Sequence, residues 1–432
     1  MSRRVQLSMI DFASSKRKNT STGNEPPSKK VSPDADNLSL KSPRPGASGK
    51  WTSVGSSLLI YTTNDVKPSD QIASFDMDGT LIKTKSGAVF PKNSGDWQLW
   101  NSKVVSKLQQ LHNDGYKIVI FTNQRGIEQG KVLVSDFKNK IVSVCKALRV
   151  PVQAFISTGH VSYRKPYIGM WVEMENNYND GVEVDRSASI YCGDAAGREK
   201  NNIRKADHSC ADRLFAQNLG VPFKTPEQLF LGQAREEPYR LTCFNSADYL
   251  AEPKERFSPA GTKFPYDSEI QEIIIMVGSP ASGKSFIAKH LAEDYGYEIV
   301  NQDTLGSKAA CDKLTVELLK QGNNVIVDNT NRDPITRMSY IKAAKARNCR
   351  IRAIVMNCEK AMAQHNNVFR QIVKLANNKQ TSISTMVFNS FYSQLREPTQ
   401  DEGFDDIIHA NFVPEFADEK AREIYSLFLT EK

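Results

Sequence analysis

The sequence predicts an α/β protein made of two domains, each built on a mostly parallel sheet, behind a disordered N-terminal tail. Three observations carry that expectation. Short apolar runs alternate with helix-period stretches across residues 51–235, the pattern of strands joined by helical crossovers. The alternation stops at 236–268, where Pro238, Pro253, Pro259, Gly261 and Pro265 interrupt the chain, and resumes over 269–432. Residues 1–50 are rich in Ser, Pro, Lys and Asn and poor in aromatic and β-branched side chains, so they cannot bury enough surface to offset the entropy of ordering.

Taken in order, the first domain shows strand-like runs at 72–75, 117–122 and 189–192, with helix-period segments at 104–113 and 136–147. The interrupted stretch 236–268 reads as a linker. The second domain opens with a strand at 273–277 and a helix at 285–294, followed by strands at 324–327 and 352–356 and a helical end. No internal repeat is visible.

Length supports more than one domain: 432 residues, 39% of them hydrophobic, suffice for two or three cores. No stretch approaches the roughly 18 apolar residues of a membrane helix, and no secretory signal pattern is present, so an intracellular protein without a membrane partner is expected. The seven cysteines are scattered, odd in number and without a Cys-x-x-Cys pair, which points to neither a disulfide framework nor zinc. The formal charge is +8, but the tail holds ten Lys/Arg against four Asp/Glu, so the folded body is near neutral. Net charge is therefore no argument for nucleic acid, and a binding groove has to be a local patch.

The tail carries addresses of its own. Lys16-Arg17-Lys18 followed by Lys29-Lys30 has the form of a bipartite nuclear-localisation signal, although a solubilising charge run has the same composition. The Arg-rich, acid-poor opening also fits a mitochondrial presequence. Gln6-x-x-Met9-x-x-Phe12 is half of a sliding-clamp-binding box, with Ala13 where the second aromatic belongs.

Two clusters carry chemistry. In the first domain, Ala73-Ser74-Phe75-Asp76-Met77-Asp78-Gly79-Thr80 is an apolar strand running into two carboxylates and a glycine turn. Open α/β sheets bind ligands at the carboxyl ends of their strands, where both acids emerge. Asp76 is the candidate nucleophile on phosphorus; Asp78 is the candidate acid and base for the leaving oxygen and for water. An Asp-x-Asp-Gly turn is also common at strand ends, so its partners decide. Thr122 offers a hydroxyl to a phosphate oxygen, Lys165 a cation to balance the dianion, and Asp194, after Tyr191-Cys192-Gly193, a carboxylate that with Asp76 would hold octahedral Mg²⁺.

In the second domain, Gly278-Ser279-Pro280-Ala281-Ser282-Gly283-Lys284-Ser285 fits the phosphate-binding loop between a strand and a helix. Backbone N–H groups would cradle nucleotide phosphates, Lys284 would neutralise the β/γ charge and the Ser285 hydroxyl would ligate Mg²⁺. Ile299-Val300-Asn301-Gln302-Asp303 reads as a strand ending in a candidate base, Asp303, with an N-cap as the other use of that carboxylate. Val325-Ile326-Val327 runs into the polar cluster Asp328-Asn329-Thr330-Asn331, and Arg370 is a candidate lid arginine.

The first cluster resembles the haloacid-dehalogenase superfamily, in which four such motifs occur in this order and the metal also takes the backbone carbonyl at the position of Asp78. Phosphatase followed by kinase, with the runs from Phe75 to Gly87, Gly193 to Arg198, Ser209 to Arg213 and Asp303 to Ser307, resembles the bifunctional polynucleotide kinase 3′-phosphatase family over about 51–432. The resemblance implies two Rossmann-like α/β domains, a haloacid-dehalogenase-like 3′-phosphatase at 51–235 and a P-loop 5′-kinase at 269–432. It also implies DNA strand ends at nicks, gaps and double-strand breaks as substrate, Mg²⁺ as cofactor and ATP as cosubstrate. Two departures stand out. The tail is too short for the forkhead-associated module of vertebrate members, and Gln302 stands where many relatives carry arginine. RNA ends or small-molecule phosphoryl transfer would use the same engines. A catalytically silent scaffold would have lost key residues, and all are present. Nuclear residence and a monomer are the expectations.

Overall fold

The computed structural model describes residues 48–431 apart from 160, 203, 235–236 and 375–382. The tail expected to be disordered, with its localisation and clamp motifs, lies almost wholly outside the described residues.

The first unit holds strands β1 (Gly49–Val54), β2 (Leu58–Thr63), β3 (Ile72–Phe75), β4 (Ile82–Lys83), β5 (Gln98–Leu99), β6 (Lys117–Asn123), β7 (Gln153–Ser157), β8 (Ile190–Cys192) and β9 (Phe223–Lys224). Its main sheet runs β1-β2-β7-β6-β3-β8-β9, parallel from β7 to β9, with β2 antiparallel to β7 and β1 antiparallel to β2. The central strands are buried on both faces, which is why they read as unbroken apolar runs. Alternate residues divide between two cores. Ile118 and Ile120 pack with Phe75 under the helices Lys103–Asn113 and Val134–Leu148, while Val119 and Phe121 pack on the other face with Trp171 and Phe215 from Gly169–Asn177 and Ala211–Leu219. Phe121 is fully buried among Phe155, Trp171 and Phe215; truncating it to alanine should cost about 3–5 kcal/mol.

The second unit holds β10 (Phe257–Ser258), β11 (Glu272–Val277), β12 (Glu298–Val300), β13 (Val325–Val327), β14 (Arg350–Asn357) and β15 (Asp406–Asn411), in the order β10-β15-β14-β11-β13-β12. All neighbours are parallel except β10 on β15. Ile274 and Met276 face one core and Ile273, Ile275 and Val277 the other.

Two segments differ from the sequence reading. The stretch expected to link the domains forms the helix Ser246–Ala251, supplies β10 to the second sheet and buries Phe264 in its core. The run expected as a strand over 299–303 ends at Val300. Asn301 then caps the short helix Gln302–Leu305, its side chain accepting from the N–H groups of Asp303 and Thr304. A capping asparagine favours the helix because its side chain satisfies two donors of the first turn. Asp303 therefore sits in a first helical turn, neither at a strand end nor as the cap. The hairpin β1–β2 and strand β7 were not read from the sequence.

Candidate active sites

Asp76 follows β3 directly, its N–H donating to the Cys192 carbonyl at 2.9 Å, so β3 and β8 deliver Asp76 and Asp194 to one end of the sheet. Between Asp76 and β4 the chain turns at Gly79, whose φ is +88°. A Cβ there would lie 2.4 Å from Asp194 Oδ2, so only glycine admits Asp194 this close. Thr80 Oγ1 donates to Asp194 Oδ1 at 3.4 Å.

Lys165 is the hub. Its buried ammonium donates to Asp76 Oδ1 at 2.7 Å, to Asp212 Oδ1 at 2.6 Å and to the Tyr191 hydroxyl at 2.7 Å. Its own backbone is clamped by Asn123, which accepts from its N–H at 3.0 Å and donates to its carbonyl at 3.1 Å. Burial alone would lower its pKa, but the charges of Asp212 and Asp76 raise it above the ordinary lysine value. Burial, reinforced by Asp212 and opposed by Lys165, pushes Asp76 up to about 7. Burial and the two neighbouring carboxylates also raise Asp194.

Asp78 stands apart from this buried set. Its carboxylate is half-exposed, accepting from Lys140 Nζ at 2.9 Å and Gln124 Nε2 at 2.7 Å. The same Gln124 donates to Thr122 Oγ1 at 3.0 Å, which ties Thr122 to Asp78. Asp76, Lys165 and Asp194 thus meet, and the exposed Asp78 is linked through Gln124 to the buried Thr122. Asp212, Tyr191, Gln124 and Lys140 were not among the candidates. Asp212 lies in the helix Ala211–Leu219, where no strand-end pattern marks it.

Carboxylate oxygens of Asp76, Asp194 and Asp212 lie within 4.8 Å of one another. Asp212 is already engaged: Oδ1 accepts from Lys165 and Tyr191, and Oδ2 from the Ala195 N–H at 3.0 Å. Asp76 and Asp194, crowded like charges, are the pair that suits a small hard divalent cation.

In the second unit the loop 278–285 leaves β11 and enters the helix Lys284–Tyr295. Gly283 has φ +97°, and a Cβ there would strike the Phe412 ring at 2.9 Å. Lys284 Nζ is buried and donates to the Ser279 carbonyl at 2.7 Å; burial pushes its pKa down to about 8, with Arg370 acting the same way and Asp328 and Asp303 opposing. Ser285 is exposed in the first helical turn. The loop is braced from behind: Asn366 Nδ2 donates to the Ala281 carbonyl at 3.0 Å, and Tyr392 OH bonds to Ser279 Oγ at 3.1 Å. Arg370, on the same helix as Asn366, donates to Asn367 Oδ1 at 3.0 Å and is partly buried, with its Nε unpartnered. Asp328, read only as part of a polar cluster, is buried with Oδ1 unpartnered, while Asn301 Nδ2 holds its carbonyl at 2.8 Å and Oδ2 at 3.1 Å. Asp303 is exposed beside Asn301.

Residues 71–230 match the family described as polynucleotide kinase 3 phosphatase, and residues 307–398 match an AAA domain. The chain is 37% identical over 366 residues to the bifunctional polynucleotide phosphatase/kinase of Schizosaccharomyces pombe, covering 84% of this chain and 85% of that protein. The chain belongs to the bifunctional polynucleotide phosphatase/kinase family. The polynucleotide 3′-phosphatase of Saccharomyces cerevisiae is 31% identical over 216 residues, covering 37% of this chain and 87% of that protein. A plant polynucleotide 3′-phosphatase, from Arabidopsis thaliana, is 37% identical over 196 residues, covering 42% of this chain and 27% of that protein. The phosphatase match contains the strand β3 that leads into Asp76, and the phosphate-loop sequence follows later in the chain at 278–285. Among the described residues, no helix is long and apolar enough to cross a membrane.

Proposed function

We propose that the chain repairs DNA ends, removing 3′-phosphates at the Asp76 site and phosphorylating 5′-hydroxyls with ATP at the Lys284 site. The observation that carries this is the extent of the match to the S. pombe enzyme: a span of 84% of the chain necessarily runs through both Asp76 and Asp303. We assign the phosphatase to 51–235 and the kinase to 269–432 together with the part of 236–268 that supplies β10 and Phe264 to the second sheet and its core.

In the phosphatase, a carboxylate oxygen of Asp76 attacks the 3′-phosphorus, forming an aspartyl-phosphate as the bond to the sugar oxygen breaks. Asp78, reachable from solvent, protonates that leaving oxygen and then takes a proton from the water that hydrolyses the intermediate, releasing phosphate and restoring Asp76. Lys165 balances the phosphoryl charge, and Asp212 with Tyr191 holds Lys165 in place. Thr122 offers its hydroxyl to a phosphate oxygen. Asp76, Asp194 and the Asp78 carbonyl would hold Mg²⁺, which would neutralise phosphate charge.

In the kinase, the loop 278–285 cradles the nucleotide phosphates, with Lys284 on the β/γ oxygens, and Ser285 and Asp328 would hold the nucleotide's Mg²⁺. Asp303 accepts the proton of the attacking 5′-hydroxyl, and Arg370 offsets charge on the transferring group.

The test is a nicked duplex bearing a 3′-phosphate and a 5′-hydroxyl, incubated with Mg²⁺ and ATP. Wild type should convert both ends, Asp76→Ala only the 5′ end and Lys284→Ala only the 3′ end. Conversion of free nucleotides or sugar phosphates but of neither end would reject the reading, and a faster reaction on an all-RNA nick would move the substrate to RNA. A monomer engaging DNA ends in the nucleus completes the proposal. The residence rests on Lys16-Arg17-Lys18 and Lys29-Lys30, and a fluorescent fusion with both clusters replaced should leave the nucleus. A sliding-clamp contact through Gln6, Met9 and Phe12 should appear as clamp-dependent capture of the wild-type tail and vanish in Phe12→Ala.

A further inference from the structure

The helix Glu419–Ser426 belongs to the kinase unit, packing through Tyr425 against His365 and Phe369. The residues after it do not. Leu427 packs at the edge of the phosphatase core that holds Phe121 and Trp171. Phe428 is buried with Cys210 and Leu214 of the phosphatase unit and with Leu241 and Cys243.

The polar contacts of this segment converge on two places. Phe428 exchanges two hydrogen bonds with Asn218: its N–H donates to Oδ1 at 2.9 Å and its carbonyl accepts from Nδ2 at 2.9 Å. The same Nδ2 donates to the Pro166 carbonyl at 2.8 Å. Glu431 accepts from Arg164 Nη2 at 2.8 Å and Ser209 Oγ at 3.3 Å, and its carbonyl accepts from Cys210 Sγ at 3.2 Å. Arg164 and Pro166 are the two neighbours of Lys165. Asn218 and Cys210 bracket the helix that carries Asp212, the carboxylate nearest that lysine's ammonium.

We infer that residues 427–431 are a positioning strap for the phosphatase. They tie the loop carrying Lys165 to the helix carrying Asp212, so that the kinase unit sets the geometry of the phosphatase lysine. Asn218 and Glu431 are its positioning residues; neither touches Asp76, Asp78 or Asp194 in the bonds described. Placement errors of about 1 Å at a catalytic group cost up to about 10²-fold in rate. Loosening one of several braces should cost less.

The inference rests on the phosphatase reading proposed above, so wild type is measured first on a 3′-phosphate end. No turnover there rejects that reading, whatever the variants do. Given turnover, Asn218→Ala and Glu431→Ala are compared with wild type for 3′-phosphatase kcat and KM, for 5′-kinase rate in the same preparation, and for Tm. The expected result is a fall in phosphatase kcat of roughly tenfold with KM and kinase rate unchanged, and partial recovery in Glu431→Gln, which still accepts a hydrogen bond from Arg164. Phosphatase kcat within twofold of wild type in both alanine variants overturns the strap. So does an equal loss of kinase rate, which would mean general unfolding. Should Asn218→Ala not fold, Arg164→Ala tests the strap through the Glu431 contact from its other side, with the same expectation.

Discussion

The Asp212 carboxylate sits 2.6 Å from the Lys165 ammonium, at least as near as Asp76, which the same ammonium holds at 2.7 Å. Lys165 is thus shared between a carboxylate proposed to react and one that does not. Asp212→Asn should leave Lys165 drawn to Asp76 alone, masking the nucleophile, and 3′-phosphatase kcat should fall about 10²-fold with the kinase untouched. Because Asp76 remains as a counter-ion, the loss of stability by chemical denaturation should stay below the about 3–5 kcal/mol of stripping a buried charge of its partner.

Gly79→Ala places a Cβ where Asp194 Oδ2 now lies and imposes a left-handed backbone on a side chain. The backbone term costs about 1–2 kcal/mol, a modest fall in Tm. The displacement of Asp194 is the larger effect: phosphatase activity should be lost, and titration of Mg²⁺ should not restore it at concentrations saturating for wild type.

Asn366 links the Ala281 carbonyl of the phosphate loop to the Tyr425 hydroxyl, which donates to Asn366 Oδ1 at 2.8 Å. Asn366→Ala removes about one hydrogen bond's worth of loop order, so the KM for ATP should rise roughly fivefold. Phosphatase turnover on the same protein should not change.

His365 is buried, and burial holds its pKa down at about 4. In the unfolded chain the ring takes a proton near its ordinary value of 6.5, whereas the folded site refuses it until about pH 4. This contribution is therefore fully present above pH 6.5 and is lost as pH falls toward 4, to a limit of roughly 3 kcal/mol. Unfolding free energy measured at pH 7.5 and pH 5 should differ less in His365→Gln than in wild type. An equal drop in both would rule His365 out as the sensitive group.

The strands that carry the sites were readable because they are buried apolar runs of the right length, ending in the side chains that matter: Asp76 after Phe75, Asp194 two residues past Cys192, the glycine loop after Val277; β1, β2, β7 and β15, the last within the end read as helical, were not. Asp212 lay inside the run Ser209 to Arg213 that carries the family resemblance, but it was not singled out as a site residue because its contact with Lys165 depends on a helix docking beside β8, a tertiary fact. Lys140 and Gln124 escaped for the same reason, each meeting Asp78 from a different element. Asp303 was placed on the wrong element because three apolar-flanked residues are too short to fix where a strand ends, and the Asn301 cap decided it. The part of 236–268 that joins the second sheet was hidden by prolines that mark an edge strand as readily as a linker.

A ribosome emits Glu431 267 residues after Arg164. The loop around Lys165 therefore gains its last brace only once the whole kinase unit has been made, so a nascent or prematurely ended chain carries a phosphatase whose lysine is still unlatched.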